Sequence, residues 1–202
     1  MAEFWNIPES CLTLPSDNLA ERLETAKELI LYLRARGPSA PHSDSREEWT
    51  RWIKANLYEL VSSDRWIISP LSKASTKGEY LTLDVCVEER LFPKRILLAV
   101  ESELDNGRNR LGEVLKDFEK LLAVKSAFKL MIFSSERDGV TNKVILNGLK
   151  VDLEGYGHNL IGETYVFIDY NEDSGKNGSF IGHIWQPTSN GPQKSVEPVL
   201  IN

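Results

Sequence analysis

The feature that most constrains the fold is a pair of short apolar runs with a helical pattern between them. The first run extends from Ile96 to Val100 and the second from Phe128 to Phe133. Runs of this length are typical of strands buried on both faces of a sheet. Between them, apolar residues recur every three or four positions, at Leu111, Val114, Leu115, Phe118, Leu121 and Leu122. The sequence therefore predicts an α/β fold with a central mixed β-sheet flanked by helices.

Two helices are predicted ahead of this region. Asn18 and Glu21 form a capping pair at the start of a helical period that ends at Gly37. Ser45 and Glu48 form a capping box for a second helix, which is predicted to end near Ser62. Its predicted buried face carries Trp49, Trp52, Ile53, Asn56, Leu57 and Leu60. We expect these tryptophans to belong to the core rather than to a ligand-stacking surface.

The remaining periodicity is that of strands, with one further helix. Strands are predicted at Trp66–Ile68, Glu79–Val87, Arg95–Glu103, Thr164–Ile168 and Phe180–Trp185, and a helix at Thr141–Leu153. The second and third of these strands are predicted to form a hairpin. The tail from Gln186 to Asn202 contains three prolines and shows no period, so irregular structure is predicted there. Because a domain typically has about 150 residues, the 202 residues are expected to form one domain, with its core motif at about 45–134.

Charge and cysteine content exclude several classes of protein. The chain has 24 Lys and Arg against 30 Asp and Glu, a net charge of −6, so as a whole it does not attract polyanions at long range. Any contact with nucleic acid therefore requires a local basic surface. Cys11 and Cys86 lack the spacing of a zinc site or a disulfide framework. No segment has the pattern of a signal peptide or a membrane span, so a cytoplasmic protein is predicted.

Three carboxylates stand out against this background. Asp84 lies in one strand of the predicted hairpin, and Glu101 and Glu103 lie at the end of its partner. Because side chains alternate along a strand, Glu101 and Glu103 share one face of the sheet. Neighbouring strands are about 4.8 Å apart, so a suitable register brings Asp84 beside Glu101. Two carboxyl groups at such a short distance do not readily ionise together unless a cation lies between them. Mg²⁺ prefers oxygen ligands of this kind.

In this order and spacing, the residues resemble the PD-(D/E)xK nuclease superfamily, which includes restriction endonucleases. The resemblance rests on Asp84, on the strand Ile96 to Val100, and on Glu101-Ser102-Glu103 directly after it. It covers roughly residues 45–134, where the predicted elements follow the order of the superfamily core, which is helix, three strands, helix and strand. Two positions depart from the usual motif: Leu83 replaces the proline before the aspartate, and Glu103 replaces the lysine. Some restriction endonucleases of this superfamily carry glutamate at the lysine position.

The resemblance implies a restriction endonuclease-like core, Mg²⁺ or Mn²⁺ as cofactor and DNA as substrate. Asp84 and Glu101 would hold the ion together with the main-chain carbonyl of Ser102, and Glu103 would orient or deprotonate the attacking water. Asp84, Glu101 and Glu103 are therefore the expected catalytic residues. Nucleases of the restriction type usually act as dimers, which makes a homodimer a candidate assembly for a restriction or defence endonuclease.

Three further residues are candidates for the same site. Lys116 and Lys120 share a face of the following helix, where either could supply a cation or simply be solvated. Glu59, late in the second helix, could supply an additional acidic group.

The same residues can also be interpreted without assigning them a catalytic role. Carboxylates at strand ends are commonly exposed, and Glu101 and Glu103 could pair with Arg95, Arg108 or Arg110 in a surface ion network. Basic residues flank the carboxylates and would suit DNA, or they belong to an ordinary surface of mixed charge. The first basic cluster is Lys73, Lys77, Arg90, Lys94 and Arg95, and the second is Arg108, Arg110, Lys116, Lys120, Lys125 and Lys129. The alternative function is a non-catalytic nuclease-fold protein that binds a protein partner or acts in regulation.

Overall fold

A seven-stranded sheet lies at the centre of the protein, and its strands follow the same order in the sheet as in the chain. The computed structural model describes residues 9, 18–37, 46–61, 66–69, 83–90, 95–104, 109–135, 141–156, 162–171, 179–187 and 199–201. The strands are β1 (Trp66–Ser69), β2 (Val85–Glu89), β3 (Ile96–Glu103), β4 (Phe128–Ser134), β5 (Thr164–Asn171), β6 (Ser179–Trp185) and β7 (Val199–Ile201). The helices within these ranges are α1 (Leu19–Arg36), α2 (Arg46–Val61), α3 (Arg110–Ala123) and α4 (Asn142–Gly155).

The sheet is mixed, as predicted. β3, β4 and β5 are parallel to one another, because α3 and α4 carry the chain back across the sheet between them. β1 and β2 are antiparallel to their neighbours on one side of this parallel centre, and β6 and β7 on the other. The hairpin of β2 and β3 is confirmed.

Helices cover both faces of the sheet, which gives three layers. On β4, Phe128, Leu130 and Ile132 pack with the apolar residues of α1 and α2. The alternate residues Met131 and Phe133 pack instead with α3 and α4. We refer to these two sides as the α1/α2 face and the α3/α4 face. The α/β class is thus confirmed, with a central sheet flanked by helices.

The start of α1 follows from its capping residue. The side chain of Asn18 accepts a hydrogen bond from the main-chain N–H of Glu21 at 3.2 Å, and the helix ends at Gly37. Arg22, which the apolar pattern did not mark, is fully buried. Its guanidinium donates to the carbonyl oxygens of Ala127 and Gly162 at 3.1 and 2.6 Å. This side chain therefore ties α1 to the segments that enter β4 and β5.

Trp49 and Trp52 belong to the core, as expected. Trp49 is buried and Trp52 packs against the same core on the α1/α2 face. Trp66 and Trp185 are also buried, and Trp5 lies outside the described residues. Cys86 is fully buried, and burial raises the pKa of its thiol to about 12. A thiol in this state is a packing group rather than a nucleophile.

Two predicted boundaries are wrong. β2 begins at Val85 rather than Glu79: Leu83 forms an isolated bridge, Asp84 lies in a bend, and residues 79–82 fall outside the described ranges. The expectation of irregular structure throughout residues 186–202 fails at 199–201, which pair with β6 as β7. A three-residue strand directly after Pro198 is too short to show a period. The proposed capping residue Ser45 is also outside the described part of the chain.

None of the helices in the described ranges is both long enough and apolar enough to cross a membrane.

Candidate active site

The predicted carboxylates lie where the hairpin of β2 and β3 opens. Val85 pairs with Val100 at the last position of the ladder, and Asp84 and Glu101 are the residues directly beyond this pair. Asp84 is in the bend just before β2, whereas Glu101 is still within β3. The register that the carboxylate hypothesis requires thus extends as far as Val85 and Val100, one position before Asp84 and Glu101.

Asp84 is held by Ser102 of β3. Its Oδ2 accepts a hydrogen bond from the main-chain N–H of Ser102 at 2.9 Å and another from the Ser102 hydroxyl at 2.7 Å. Both residues are buried. Because the N–H and C=O of one strand residue point to the same edge, the main-chain oxygen of Ser102 also faces the β2 side of β3.

Glu101 is buried beneath α3, next to a lysine of that helix. Its side chain has no exposed surface, and its Oε2 lies 3.6 Å from the amine of Lys120. The same amine lies 2.9 Å from Oδ1 of Asp117, one helical turn earlier. Lys120 keeps 26% of its side-chain surface exposed. One partly exposed cation thus lies between two buried carboxylates.

Glu103 shares the face of Glu101, as the alternation along β3 predicts. It pairs laterally with Phe133 of β4, which belongs to the α3/α4 core. Only 4% of its surface is exposed. The interpretation of Glu101 and Glu103 as solvent-exposed strand-end carboxylates is therefore wrong, because α3 covers this face of the sheet.

A second aspartate makes the same kind of contact at the end of β4. Asp169 of β5 accepts the main-chain N–H of Ser135 at 2.9 Å on Oδ1 and the Ser135 hydroxyl at 2.6 Å on Oδ2. Asn142, at the start of α4, donates to Oδ2 at 2.7 Å. Near the ends of β3 and β4, a serine thus donates two hydrogen bonds to an aspartate that precedes or belongs to a neighbouring strand.

The remaining candidate residues fall into different environments. Lys116 is exposed and pairs with Glu113 at 3.4 Å. Glu59 pairs with Arg36 at 3.2 Å. Since α2 packs on the α1/α2 face, Glu59 lies on the side of the sheet opposite Glu101. Of the two candidate lysines, the structure places only Lys120 beside the carboxylates.

The members of the two basic clusters that the structure describes differ in exposure and in partners. Lys73, Lys77, Lys94 and Arg108 lie outside the described residues. Arg95 pairs with Glu89 at 2.6 Å. Arg110 is buried and donates to the main-chain oxygen of Ser134 at 3.2 Å. Of the members that the structure describes, Arg90, Arg95, Lys116 and Lys125 are exposed, and Lys120 is partly exposed.

Lys129 does not extend the second basic cluster, because it faces inward on β4. It is buried, and its amine donates to Glu163 at 2.9 Å and to the Tyr165 hydroxyl at 3.2 Å. Desolvation lowers the pKa of Lys129, while the charge of Glu163 opposes that shift. Burial, followed by the charge of Glu163, raises the pKa of Tyr165. These three residues form a buried ionic cluster at the end of β4 and β5 opposite to the carboxylates.

The donor chemistry at the end of β3 fits Mg²⁺. The carboxylates of Asp84 and Glu101 and the main-chain oxygen of Ser102 are all oxygen donors, the ligand class that this ion prefers. Across the described residues, no three or more His, Cys, Asp or Glu side chains are arranged to hold a metal ion. The candidate donor set therefore consists of two carboxylates and a main-chain oxygen rather than three acidic side chains.

Two groups of this site were not predicted from the sequence, namely the side chain of Asp117 and the hydroxyl of Ser102. Asp117 lies three positions after Val114 and four before Leu121, so a helical projection of α3 would have placed it on the buried arc. The hydroxyl of Ser102 donates to Asp84, and no local pattern links these two residues across 18 positions.

The chain matches no known protein-family model, and no curated protein sequence matches it. The resemblance to the PD-(D/E)xK superfamily therefore rests on the sequence motif.

Proposed function

We propose that the protein is a Mg²⁺-dependent nuclease that hydrolyses phosphodiester bonds in DNA. The observation that carries the proposal is the pairing of Val85 with Val100, which brings the segments that contain Asp84 and Glu101 together at the end of the hairpin. The order α2, β1, β2, β3, α3 and β4 supports it, because this is the order on which the resemblance to the nuclease superfamily rests.

Each residue has a distinct role in the proposed reaction. Asp84, Glu101 and the main-chain oxygen of Ser102 would hold the ion. When bound, Mg²⁺ would neutralise the negative charge that develops on the phosphate. Glu103, two positions beyond Glu101 on the same face, would orient the attacking water or accept its proton.

Lys120 takes over the role of the cation that the motif lacks at position 103. Its amine approaches Glu101 from α3, and its partial exposure lets it reach a phosphate without leaving the site. Asp117, at 2.9 Å, fixes the direction of the lysine side chain. An ammonium group at this place would stabilise negative charge on the substrate as well as on Glu101.

The restriction or defence role and the homodimer belong to the same proposal and rest on the resemblance. A two-fold arrangement of two such sites would cut both strands of a duplex. Linear plasmid appearing together with nicked plasmid would indicate such paired cutting.

The test is cleavage of supercoiled plasmid DNA with Mg²⁺ or Mn²⁺, with single-stranded DNA and RNA as further substrates. Asp84→Asn and Glu101→Gln remove one predicted ligand each while preserving side-chain size. Glu113→Gln is the matched control, since it removes an exposed carboxylate of α3 whose partner is Lys116. We expect the unmodified protein and the control to cleave DNA, and the two site variants to fall to the background of the metal-free reaction.

Folded protein that cleaves none of these substrates would contradict the nuclease proposal. Cleavage that survives in Glu101→Gln would place the chemistry elsewhere. Preference for RNA over DNA would support the proposed hydrolysis of phosphodiester bonds but would show that the substrate is RNA. A folded, inactive protein would leave the alternative of a nuclease-fold protein that binds a protein partner.

A further inference from the structure

We propose that the side chain of Ser102 positions Asp84 for metal binding, an inference that rests on the proposed nuclease function. Resemblance to the superfamily assigns only the main-chain carbonyl of this residue to the site. The structure adds the hydroxyl, whose oxygen lies 2.7 Å from Oδ2 of Asp84. Ser102 is thus a positioning residue, acting on the metal through the aspartate.

Asp84 needs such a contact because of where it lies in the backbone. It is in the bend before β2, so strand pairing does not fix its main chain as it fixes that of Glu101 in β3. The two hydrogen bonds from Ser102 link this bend directly to β3. Hydrogen bonds to an ionised carboxylate are shorter and roughly twice as strong as neutral ones.

The direction of the contact leaves one carboxylate oxygen for a ligand. In the described part of the chain, Ser102 is the sole donor to Asp84, and both of its hydrogen bonds end on Oδ2. A carboxylate held at one oxygen by two donors has a fixed plane, so the direction of Oδ1 is also fixed. The constraint is of the kind by which outer contacts orient metal-binding carboxylates in proteins.

The chain contains its own matched control for this contact. Ser135 donates its main-chain N–H and its hydroxyl to Asp169 at 2.9 and 2.6 Å, close to the 2.9 and 2.7 Å distances from Ser102 to Asp84. Asp169 is not a member of the candidate donor set. Ser135→Ala therefore removes an equivalent buried hydroxyl at the end of the next strand without touching Asp84.

The first experiment measures Mg²⁺ binding by calorimetry in the unmodified protein, Ser102→Ala, Ser102→Thr and Ser135→Ala. Loss of an outer contact to a metal ligand typically weakens binding about 10- to 100-fold, and we expect this for Ser102→Ala. Ser102→Thr keeps the hydroxyl and is expected to restore binding. Ser135→Ala should bind like the unmodified protein. Equal weakening in Ser135→Ala and Ser102→Ala would overturn the proposal, because the effect would then reflect general loosening of the strand ends.

The second experiment examines the metal-free protein, so it does not depend on the nuclease function. Three-bond NMR couplings report the χ1 rotamer of Asp84. We expect a single rotamer in the unmodified protein and in Ser135→Ala, and averaging among rotamers in Ser102→Ala. An Asp84 rotamer that stays single in Ser102→Ala would overturn the positioning role even if Thr at this position did not fold.

The two experiments separate the failure of this inference from the failure of the proposed function. Absence of Mg²⁺ binding in the unmodified protein would refute the metal site. The contact between Ser102 and Asp84 would then have no role in metal binding. Normal Mg²⁺ binding in Ser102→Ala, with binding lost in Glu101→Gln, would keep the metal site and reject the role of Ser102.

Discussion

The amine of Lys120 lies 3.6 Å from Oε2 of Glu101, whose side chain has no exposed surface. Removing a carboxylate from a buried position avoids the cost of desolvating its charge, whereas removing a cation beside it leaves that cost uncompensated. The two members of this contact are therefore expected to affect stability in opposite directions.

Glu101→Gln is expected to leave the free energy of unfolding unchanged or to raise it by about 0.5–2 kcal/mol, while abolishing cleavage. Lys120→Met is expected to lower it by about 1–3 kcal/mol, because Glu101 then stays buried without this cation. Urea denaturation measures both values. Lys116→Met, on the exposed side of α3, is the control and should stay within about 0.5 kcal/mol of the unmodified protein. A greater loss of stability in Glu101→Gln than in Lys120→Met would contradict this account.

Lys129→Met is expected to lower the free energy of unfolding by about 3–5 kcal/mol, because it leaves the buried carboxylate of Glu163 without its lysine. The double variant Lys129→Met/Glu163→Gln removes both charges and should recover most of that loss. Chemical denaturation of the two single variants and the double variant gives the coupling energy. The exposed pair of Lys150 and Glu154, at 3.7 Å, is the control, and its coupling should stay below about 1 kcal/mol. Additive losses at Lys129 and Glu163 would show that the ionic contact is unimportant.

His183 is expected to make the protein less stable as the pH falls below about 6.5. Burial lowers the pKa of this imidazole from its ordinary value of 6.5, so the unfolded chain takes up the proton first. The contribution of His183 is fully favourable above pH 6.5 and declines as the pH falls toward the lowered pKa of the folded state. In His183→Leu this part of the pH dependence should disappear.

The measurement for His183 is the free energy of unfolding of both proteins at several pH values between neutral and mildly acidic. Carboxylates titrate in both proteins, so the difference between the two curves isolates the histidine. The difference should be constant above pH 6.5 and should shift in favour of His183→Leu below it. A difference that does not change with pH would refute the assignment.

Gly182→Ala is expected to destabilise the protein by about 1–3 kcal/mol, because a Cβ there would lie 2.5–2.9 Å from side-chain atoms of Ile30. Gly182 is where β6 meets α1, so the added methyl group would push the helix from the sheet. Thermal unfolding of Gly182→Ala and of Gly182→Ala/Ile30→Ala tests the clash, since the smaller residue in α1 should make the two losses less than additive. Gly155→Ala is the control, because its Cβ meets no atom within 4 Å and the variant should lose no stability.

Much of the fold could be predicted from local patterns in the sequence. The apolar run at Ile96 to Val100 is long enough to indicate burial on both faces, and β3 is indeed central. Asn18 caps α1 because its side chain reaches a main-chain N–H only three residues away. Signals of this kind depend on neighbours in the chain, which the sequence displays directly.

The candidate site could be predicted only in part. Alternation along β3 places Glu101 and Glu103 on one face without any knowledge of the rest of the fold. The cover provided by α3 could not be foreseen, and it turns two expected surface carboxylates into buried ones. Likewise, Lys129 resembles a surface cation until Glu163, 34 positions away, is brought against it. Contacts between distant segments depend on packing, for which a local pattern gives no signal.

The order of the strands has a consequence for how the protein is made. Each strand of the sheet pairs with the strand before it in the chain, so the sheet can grow stepwise as the polypeptide leaves the ribosome. α1 is the exception, because it packs on β5 and β6, and its Arg22 reaches Gly162 across 140 positions. α1 therefore precedes β5 and β6 in synthesis, and the part of its apolar face that packs on them can be buried only after both strands have been made.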